Sequence, residues 1–273
     1  MTTFFITGAA NGIGKCLSEM IYQQGHSVIL TDIDEAKLKA NALQNGWDEN
    51  RFLIHQLDVR NVQNWQDAIK AAVLKFKKID VALNVAGVIR PGYISALTVA
   101  DIDFMVDINL KGVMYGTKLM ADLMVGQGSG QIVNIASLAG IAPIQGLPIY
   151  SATKFAVRAF SLAIAQELKQ KNVFVSVVCP DLVATNMLTI QLDYEAANLT
   201  FSGDKILSVE EISSVILNEA VKNKQLQVLH PWHRGLLARI GNFFPSLSNI
   251  LTNTLSKKGD QKRKSLIENL KQS

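Results

Sequence analysis

Cysteine is scarce in this chain: Cys16 and Cys179 are the only two in 273 residues. They are far apart and neither has metal-ligand spacing, which argues against a disulfide framework and makes a reducing compartment the expectation. Cys16, inside the first helical stretch, reads as a small buried side chain. Only four histidines occur. His26 and His55 stand alone, and His230 and His233 fall in His-Pro-Trp-His, which reads as a loop bent at its proline. No metal is expected. No apolar run reaches the ~18 uninterrupted residues that a spanning helix needs. The apolar N-terminus has no basic leader and is short for a secretory signal, so it reads as a strand and the compartment as cytoplasmic. Charge is sparse as well, 18% against 48% hydrophobic residues. That ratio suits a sheet buried on both faces. No repeat or low-complexity segment is evident.

What is present alternates. Strands read at 3–7, 27–31, 52–57, 80–84, 131–136, 173–178 and 226–229. Helices read at 12–24, 34–44, 61–76, 99–125, 150–171 and 209–223, the last opened by a capping box at Ser208-Val209-Glu210-Glu211. This spacing implies right-handed βαβ units, hence an α/β, Rossmann-like doubly wound, mainly parallel sheet with helices on both faces. Residues 1–230 form one domain of this kind, and 231–273 a basic amphipathic extension.

The first thirty-two residues carry a binding signature. Thr3–Thr7 is β-prone, Gly8-Ala9-Ala10-Asn11-Gly12-Ile13-Gly14 is a glycine-rich turn, and a helical stretch follows until Gly25 stops it. Glycines let the backbone approach a pyrophosphate, and the helix N-terminus supplies free N–H groups. The strand at 27–31 ends at Asp32. An acid there suits the two hydroxyls of an adenosine ribose and repels a 2′-phosphate, so NAD is expected and NADP stays compatible. Lys15 and Lys37 weaken that preference slightly. A glycine turn alone signifies no more than close packing; the strand, helix and acid around it make the case.

Tyr150 and Lys154 stand four residues apart, on one face of a helix. Free tyrosine titrates near ~10, and a neighbouring ammonium favours the phenolate, so the pair reads as an acid–base group with a lowered phenol pKa. An aromatic and a lysine on an ordinary amphipathic helix is the plain alternative. Gly8, Asp32, Asp58, Asn84, Ser137 and Pro180 all fall at or just after strand ends, where such sheets bind ligands.

Together these motifs resemble the short-chain dehydrogenase/reductase family, over residues 3 to about 230. Thr7–Gly14 resembles its cofactor loop, and Asn84-Val85-Ala86-Gly87 its Asn-Asn-Ala-Gly element with Val85 in place of the second asparagine. Asn109, Ser137, Tyr150 and Lys154 match the order and spacing of its catalytic tetrad. Asp58 and Val59 match its adenine contact. Cys179-Pro180 through Val183 and Thr185 resembles its Pro-Gly motif, with Asp181 where glycine is usual. The resemblance implies an oxidoreductase acting on a secondary alcohol or ketone. Gly8, Asn11, Gly12, Ile13, Gly14, Asp32, Asp58, Val59, Asn84, Ala86, Gly87, Pro180, Val183 and Thr185 would then hold the cofactor, together with Tyr150 and Lys154. It gives Lys154 the nicotinamide ribose and Asn109 a water in a proton relay. A solvent-facing asparagine is the plain alternative for Asn109. A non-catalytic dinucleotide-binding sensor or scaffold on the same fold is the rival function, and the Ser/Tyr/Lys set argues against it. An epimerase or dehydratase with resident NAD is a third reading, weakened by the short substrate region.

Residues 182–207 read as a long loop closing the site. Met187, Leu188, Ile190, Leu192, Tyr194, Leu199 and Phe201, with Ile141, Ile144 and Leu147, point to a hydrophobic small-molecule substrate. The resemblance implies a homodimer or homotetramer through helices 99–125 and 150–171. The extension carries eight basic against two acidic residues, a balance of +6. Its stripe Leu236, Leu237, Ile240, Phe243, Phe244, Leu247, Ile250, Leu251 and Leu255 is broken by Pro245. Packing or a lid is expected, ahead of peripheral membrane contact through 232–255; nucleic-acid binding is not expected. Removal of 257–273 is expected to leave activity largely intact.

Overall fold

Five consecutive buried residues, Thr3–Thr7, form β1 at the centre of the sheet. Strand side chains alternate between faces, and the packing follows that period. Phe4 and Ile6 join the core on one face with Leu17, Ile21, Ile212 and Ile216. Phe5 joins the core on the other, with Trp65, Ala68, Met120 and Met124. Phe5 and Trp65 stack with ring centroids 5.7 Å apart. Truncating Phe5 to alanine would cost about 3–5 kcal/mol. The computed structural model describes residues 1–272, apart from the side chains at 245, 247–249, 251 and 270–272. Leu247, Leu251 and Lys271 of the extension therefore lie outside the described side chains.

The strands are β1, β2 (Ser27–Asp32), β3 (Phe52–Gln56), β4 (Val81–Asn84), β5 (Gly130–Ile135), β6 (Val173–Pro180) and β7 (Gln227–His230). They form one sheet in the order β3-β2-β1-β4-β5-β6-β7. Every pairing is parallel. The chain winds outward from β1 to β3, then returns to place β4 on the other side of β1. The carboxyl ends of β1 and β4 thus flank the switch point where such sheets bind ligands. Around the sheet lie α1 (Gly12–Gln23), α2 (Glu35–Gln44), α3 (Val62–Phe76), α4 (Val99–Val106), α5 (Val113–Gln127), α6 (Pro148–Lys169), α7 (Asn186–Leu192), α8 (Val209–Val215), α9 (Trp232–Phe243) and α10 (Pro245–Gln272).

The helix expected at 99–125 is continuous but changes winding: a π-helical segment, Asp107–Gly112, joins α4 to α5. It passes close to the β3–α3 loop, where a Cβ on Gly112 would lie 2.7 Å from Val59 Cγ2. The long loop expected at 182–207 is largely helical instead, with α7 followed by the 3₁₀ segment Glu195–Ser202. Leu192, Ala197 and Phe201 bury together against Leu182, Leu188, Leu266 and Ile267, giving this segment its own small core. His-Pro-Trp-His is no loop either. β7 ends at His230, and Trp232 and His233 open α9, which proline at the N-cap permits.

Candidate active site

The glycine turn is shaped by sterics. Gly8 has φ +68° and Gly12 φ +49°, backbone that L side chains rarely adopt. A Cβ on Gly14 would sit 2.1 Å from the Gly8 carbonyl oxygen, so α1 starts hard against the loop. Ala10 N–H donates to Asp32 Oδ2 at 3.0 Å and Asp34 N–H to Oδ1 at 3.1 Å, fixing the carboxylate at the end of β2. Lys15 pairs with Glu19 at 3.8 Å. The turn, Asp32, Asp58, Val59, Ala86, Gly87 and Thr185 wall a crevice of about 440 Å³.

Thr7, read as a strand end and the first residue of the cofactor-loop motif, also acts through its side chain: its hydroxyl accepts from Val85 N–H at 3.0 Å and Ala86 N–H at 3.1 Å. That bond welds the loop after β4 to β1 below the crevice. Asn84 does not line the crevice. Its side chain is buried in a polar network, donating to Asn134 Oδ1 at 2.8 Å and Thr117 Oγ1 at 3.2 Å. Asp58 faces Arg60, whose Nη2 lies 2.6 Å from its carboxylate and holds its pKa below the ordinary value. Arg60 and Arg90 also line the crevice, and neither stood out in the sequence.

A second cavity of about 110 Å³ is lined by Ser137, Tyr150, Lys154 and Pro180. It shares Ile13, Val85, Gly87, Ile89, Thr185 and Met187 with the first, so the two adjoin. Ser137 caps the 3₁₀ turn after β5, accepting from Ala139 N–H at 3.1 Å. Its hydroxyl donates to the Pro180 carbonyl at 3.4 Å, and it lines the same cavity as Tyr150. Lys154 is buried, and its ammonium donates to the Ile135 carbonyl at 2.9 Å and lies 5.6 Å from the Tyr150 ring centroid. Gly140 lets that turn nestle on α6: a Cβ there would meet the Lys154 carbonyl oxygen at 2.5 Å.

The electrostatics differ from expectation. Burial pushes the Tyr150 phenol up to about 12, with the Ser137 hydroxyl pulling the other way. Burial brings Lys154 down to about 8. Desolvation at this distance outweighs the lysine's attraction for the phenolate. Asn109 is not solvent-facing but fully buried in the π segment. Its Oδ1 accepts from Val88 N–H at 2.7 Å and its Nδ2 donates to Val88 O at 2.9 Å, clamping the strand-end loop beside Gly87.

Three features depended on contacts that spacing does not reveal. Gln191 is 4% exposed and lines the smaller cavity; its Nε2 donates to Met187 O at 3.0 Å, while Oε1 has no partner. Thr200 Oγ1, also in that wall, is likewise unpartnered. Asp181, in the place usual for glycine, is held by Arg234 of α9, Nε to Oδ2 at 2.8 Å. Among the described residues no group of three or more His, Cys, Asp or Glu could hold a metal.

A crevice at the switch point of a parallel sheet, adjoining a cavity lined by Ser137, Tyr150 and the buried Lys154, defines a ligand-binding protein of the doubly wound α/β class. A family model described as short chain dehydrogenase matches residues 2–195, and the chain belongs to that family. It is 35% identical over 187 residues to a CLA biosynthesis dehydrogenase/reductase of Lactiplantibacillus plantarum, spanning 67% of this chain and 65%, under two thirds, of that relative. It is 32% identical over 180 residues to an uncharacterised oxidoreductase of Staphylococcus aureus USA300, covering 66% of this chain and 77% of that one. Among solved structures, a short chain dehydrogenase/reductase from Burkholderia phymatum in complex with NAD has a TM-score of 0.80 at 24% identity, over 90% of this chain and 95% of that one. The closed form of serine dehydrogenase complexed with NADP⁺ has a TM-score of 0.75 at 29% identity, over 84% and 94%.

Proposed function

We propose that this oxidoreductase moves a hydride between NAD(H) and a secondary alcohol or ketone, with Ser137, Tyr150 and Lys154 handling the substrate oxygen and its proton. The observation that carries this reading is that Ser137, Tyr150 and the buried Lys154 line one cavity that adjoins the crevice.

The crevice fits a dinucleotide. Gly8 and Gly12 line it at positive φ with no side chain to obstruct a pyrophosphate, Gly14 lets α1 start against the loop, and Asp32 lines the same crevice. When bound there, a nicotinamide cofactor supplies or accepts the hydride. Gly8, Asn11, Gly12, Ile13, Gly14, Ala86, Gly87, Val183 and Thr185 would hold it, and Asp32 favours NAD by repelling a 2′-phosphate. Asp58 and Val59 would face the adenine end. Asn84 and Asn109 support the site from beneath and beside it, through the network to Asn134 and the clamp on Val88.

A carbonyl that gains a hydride develops negative charge on oxygen. It is stabilised by preorganised donors aimed at that charge. Ser137 and Tyr150 are such donors, and Tyr150 gives up the proton that completes reduction. A phenol raised to about 12 stays protonated at neutral pH, ready to donate. Alcohol oxidation needs the phenolate and gains as pH rises. Lys154 places a positive charge beside this exchange.

Beyond Ser137, Tyr150 and Lys154, the substrate wall is largely apolar, through Leu138, Ile144, Leu147, Leu182 and Met187, with Asp181, Thr185, Gln191 and Thr200 its polar members. A largely apolar substrate carrying one hydroxyl or amide donor for Gln191 Oε1 fits it. We also propose a homo-oligomer through α5 and α6, supported by the small exposed side chains Ala152 and Ala159 on α6.

The test is consumption of NADH and NADPH with a panel of apolar ketones, each with and without a hydroxyl group. Turnover with a preference for NADH is expected. A protein that binds NADH tightly and turns over no ketone in the panel would overturn the catalytic reading.

A further inference from the structure

Helix α9 presents an apolar face to solvent. Trp232, Leu236, Leu237, Ile240, Phe243 and Phe244 are between 46% and 81% exposed. At ~100° per residue they fall within one arc of about 140°. The opposite face is the one that packs: a Cβ on Gly235 would lie 2.5 Å from Leu229 Cβ, so α9 sits directly on β7. The outward stripe is therefore not covered by the protein's own body. Ile250 and Leu255 extend it onto α10. An exposed run of large apolar side chains marks an interaction surface.

The charge around it selects the partner. From Ala220 to Gly259 the chain has no Asp or Glu, while Lys222, Lys224, Arg234, Arg239, Lys257 and Lys258 are all basic. Arg239 is exposed at the margin of the apolar arc, and Lys257 is exposed on α10. Arg234 and Lys258 are paired with Asp181 and Asp204; the apolar face, with Arg239 and Lys257 exposed beside it and no acid in its own stretch of chain, matches the headgroup region of an anionic bilayer. A second copy would bring Arg239 and Lys257 again, with no acid from the Ala220–Gly259 stretch to meet them. No helix among the described residues is long and apolar enough to cross a membrane, so the fit is to a helix lying in the interface.

We propose that α9 seats this protein on anionic lipid surfaces, with its Trp232–Phe244 face immersed in the headgroup layer. The face is tied to the substrate cavity. Arg234 of the same helix holds Asp181 in the cavity wall, and α10 packs along Glu195–Ser202, which carries Thr200. A lipid-dissolved substrate would then meet the enzyme on the side where its pocket is walled.

The experiment is co-sedimentation of the full chain with vesicles of pure phosphatidylcholine and of phosphatidylcholine containing phosphatidylglycerol, at low and high salt. Light scattering of the soluble protein runs in parallel. The double variant Phe243→Glu/Phe244→Glu alters only exposed side chains. Binding at least ~10-fold stronger to the anionic vesicles, weakened by salt and lost in the variant at unchanged oligomer mass, is expected. Absence of vesicle binding by the wild type overturns the proposal, as does equal binding by wild type and variant. A drop in oligomer mass in the variant also overturns it and assigns the face to a second copy. None of these readouts depends on catalytic turnover.

Discussion

Arg263 Nη1 donates to the carbonyl oxygen of Leu192 at 2.7 Å, tying α10 to the last turn of α7. The same guanidinium donates through Nε to Asn198 Oδ1 at 2.7 Å, and Arg263 is buried. Lys262 adds bonds to the carbonyls of Gly203 and Asp204. The far end of the extension is thus a brace for α7 and the 3₁₀ segment Glu195–Ser202, which argues against the expectation that its removal leaves activity largely intact.

Arg263→Ala leaves Leu192 O and Asn198 short of a partner inside the protein. A loss of about 2–4 kcal/mol is expected. Thermal unfolding reads the stability, and KM for a responsive ketone should rise with NADH affinity little changed. Arg263→Lys should recover only part of it, because an ammonium cannot reproduce the guanidinium fork.

Lys154 trades stability for chemistry. Its folded pKa of about 8 lies below the ordinary 10.5, so keeping it charged costs the fold at pH 8 and below, and the cost fades as pH rises from 8 to 10.5. Lys154→Met should therefore raise the stability of cofactor-free protein by about 1–3 kcal/mol at pH 7, with a smaller gain at pH 10. Turnover should fall sharply. Chemical denaturation at the two pH values checks the sign: a gain that grows with pH would contradict it.

Asp32 is the residue proposed to favour NAD over NADP. Asp32→Asn keeps an acceptor for Ala10 N–H but removes the charge. The NADPH-to-NADH affinity ratio should move toward NADPH by about tenfold, ~1.4 kcal/mol. Fluorescence titration of both cofactors decides; an unmoved ratio would show that the carboxylate does not read the 2′ position.

Gln191→Leu removes a buried, half-paired amide. Melting temperature should hold or rise, since an unpartnered polar atom disappears. KM for hydroxyl-bearing ketones should rise about tenfold, one hydrogen bond's worth, while their plain apolar counterparts are unaffected. An equal effect on both would place Gln191 outside substrate recognition.

Much of this was legible in the sequence because it is local. The glycine turn, Asp32 at a strand end and the Tyr150–Lys154 spacing are set by neighbours along the chain, as are the strands and most helix limits. What escaped depends on elements meeting across the fold. Thr7 acts on the backbone of Val85 and Ala86, and Asn84 turns into a network with Asn134. Arg263 reaches α7 only because α10 docks there. Period alone marked the stripe on α9, but a periodic pattern says which side is apolar and not whether anything covers it. The Tyr150 phenol moved opposite to expectation because burial is a property of the packed site, invisible in a spacing of four residues.

The proton-handling role proposed for Tyr150 is tested most directly by Tyr150→Phe, which deletes one hydroxyl from the cavity wall. With a ketone that the wild type reduces, kcat should fall by about 10²–10⁴-fold while NADH affinity stays within twofold, roughly 0.4 kcal/mol. Wild-type alcohol oxidation should rise with pH through the alkaline range as the phenolate forms. A Tyr150→Phe enzyme that retains wild-type kcat, at wild-type NADH affinity, would contradict the assignment of proton transfer to this residue.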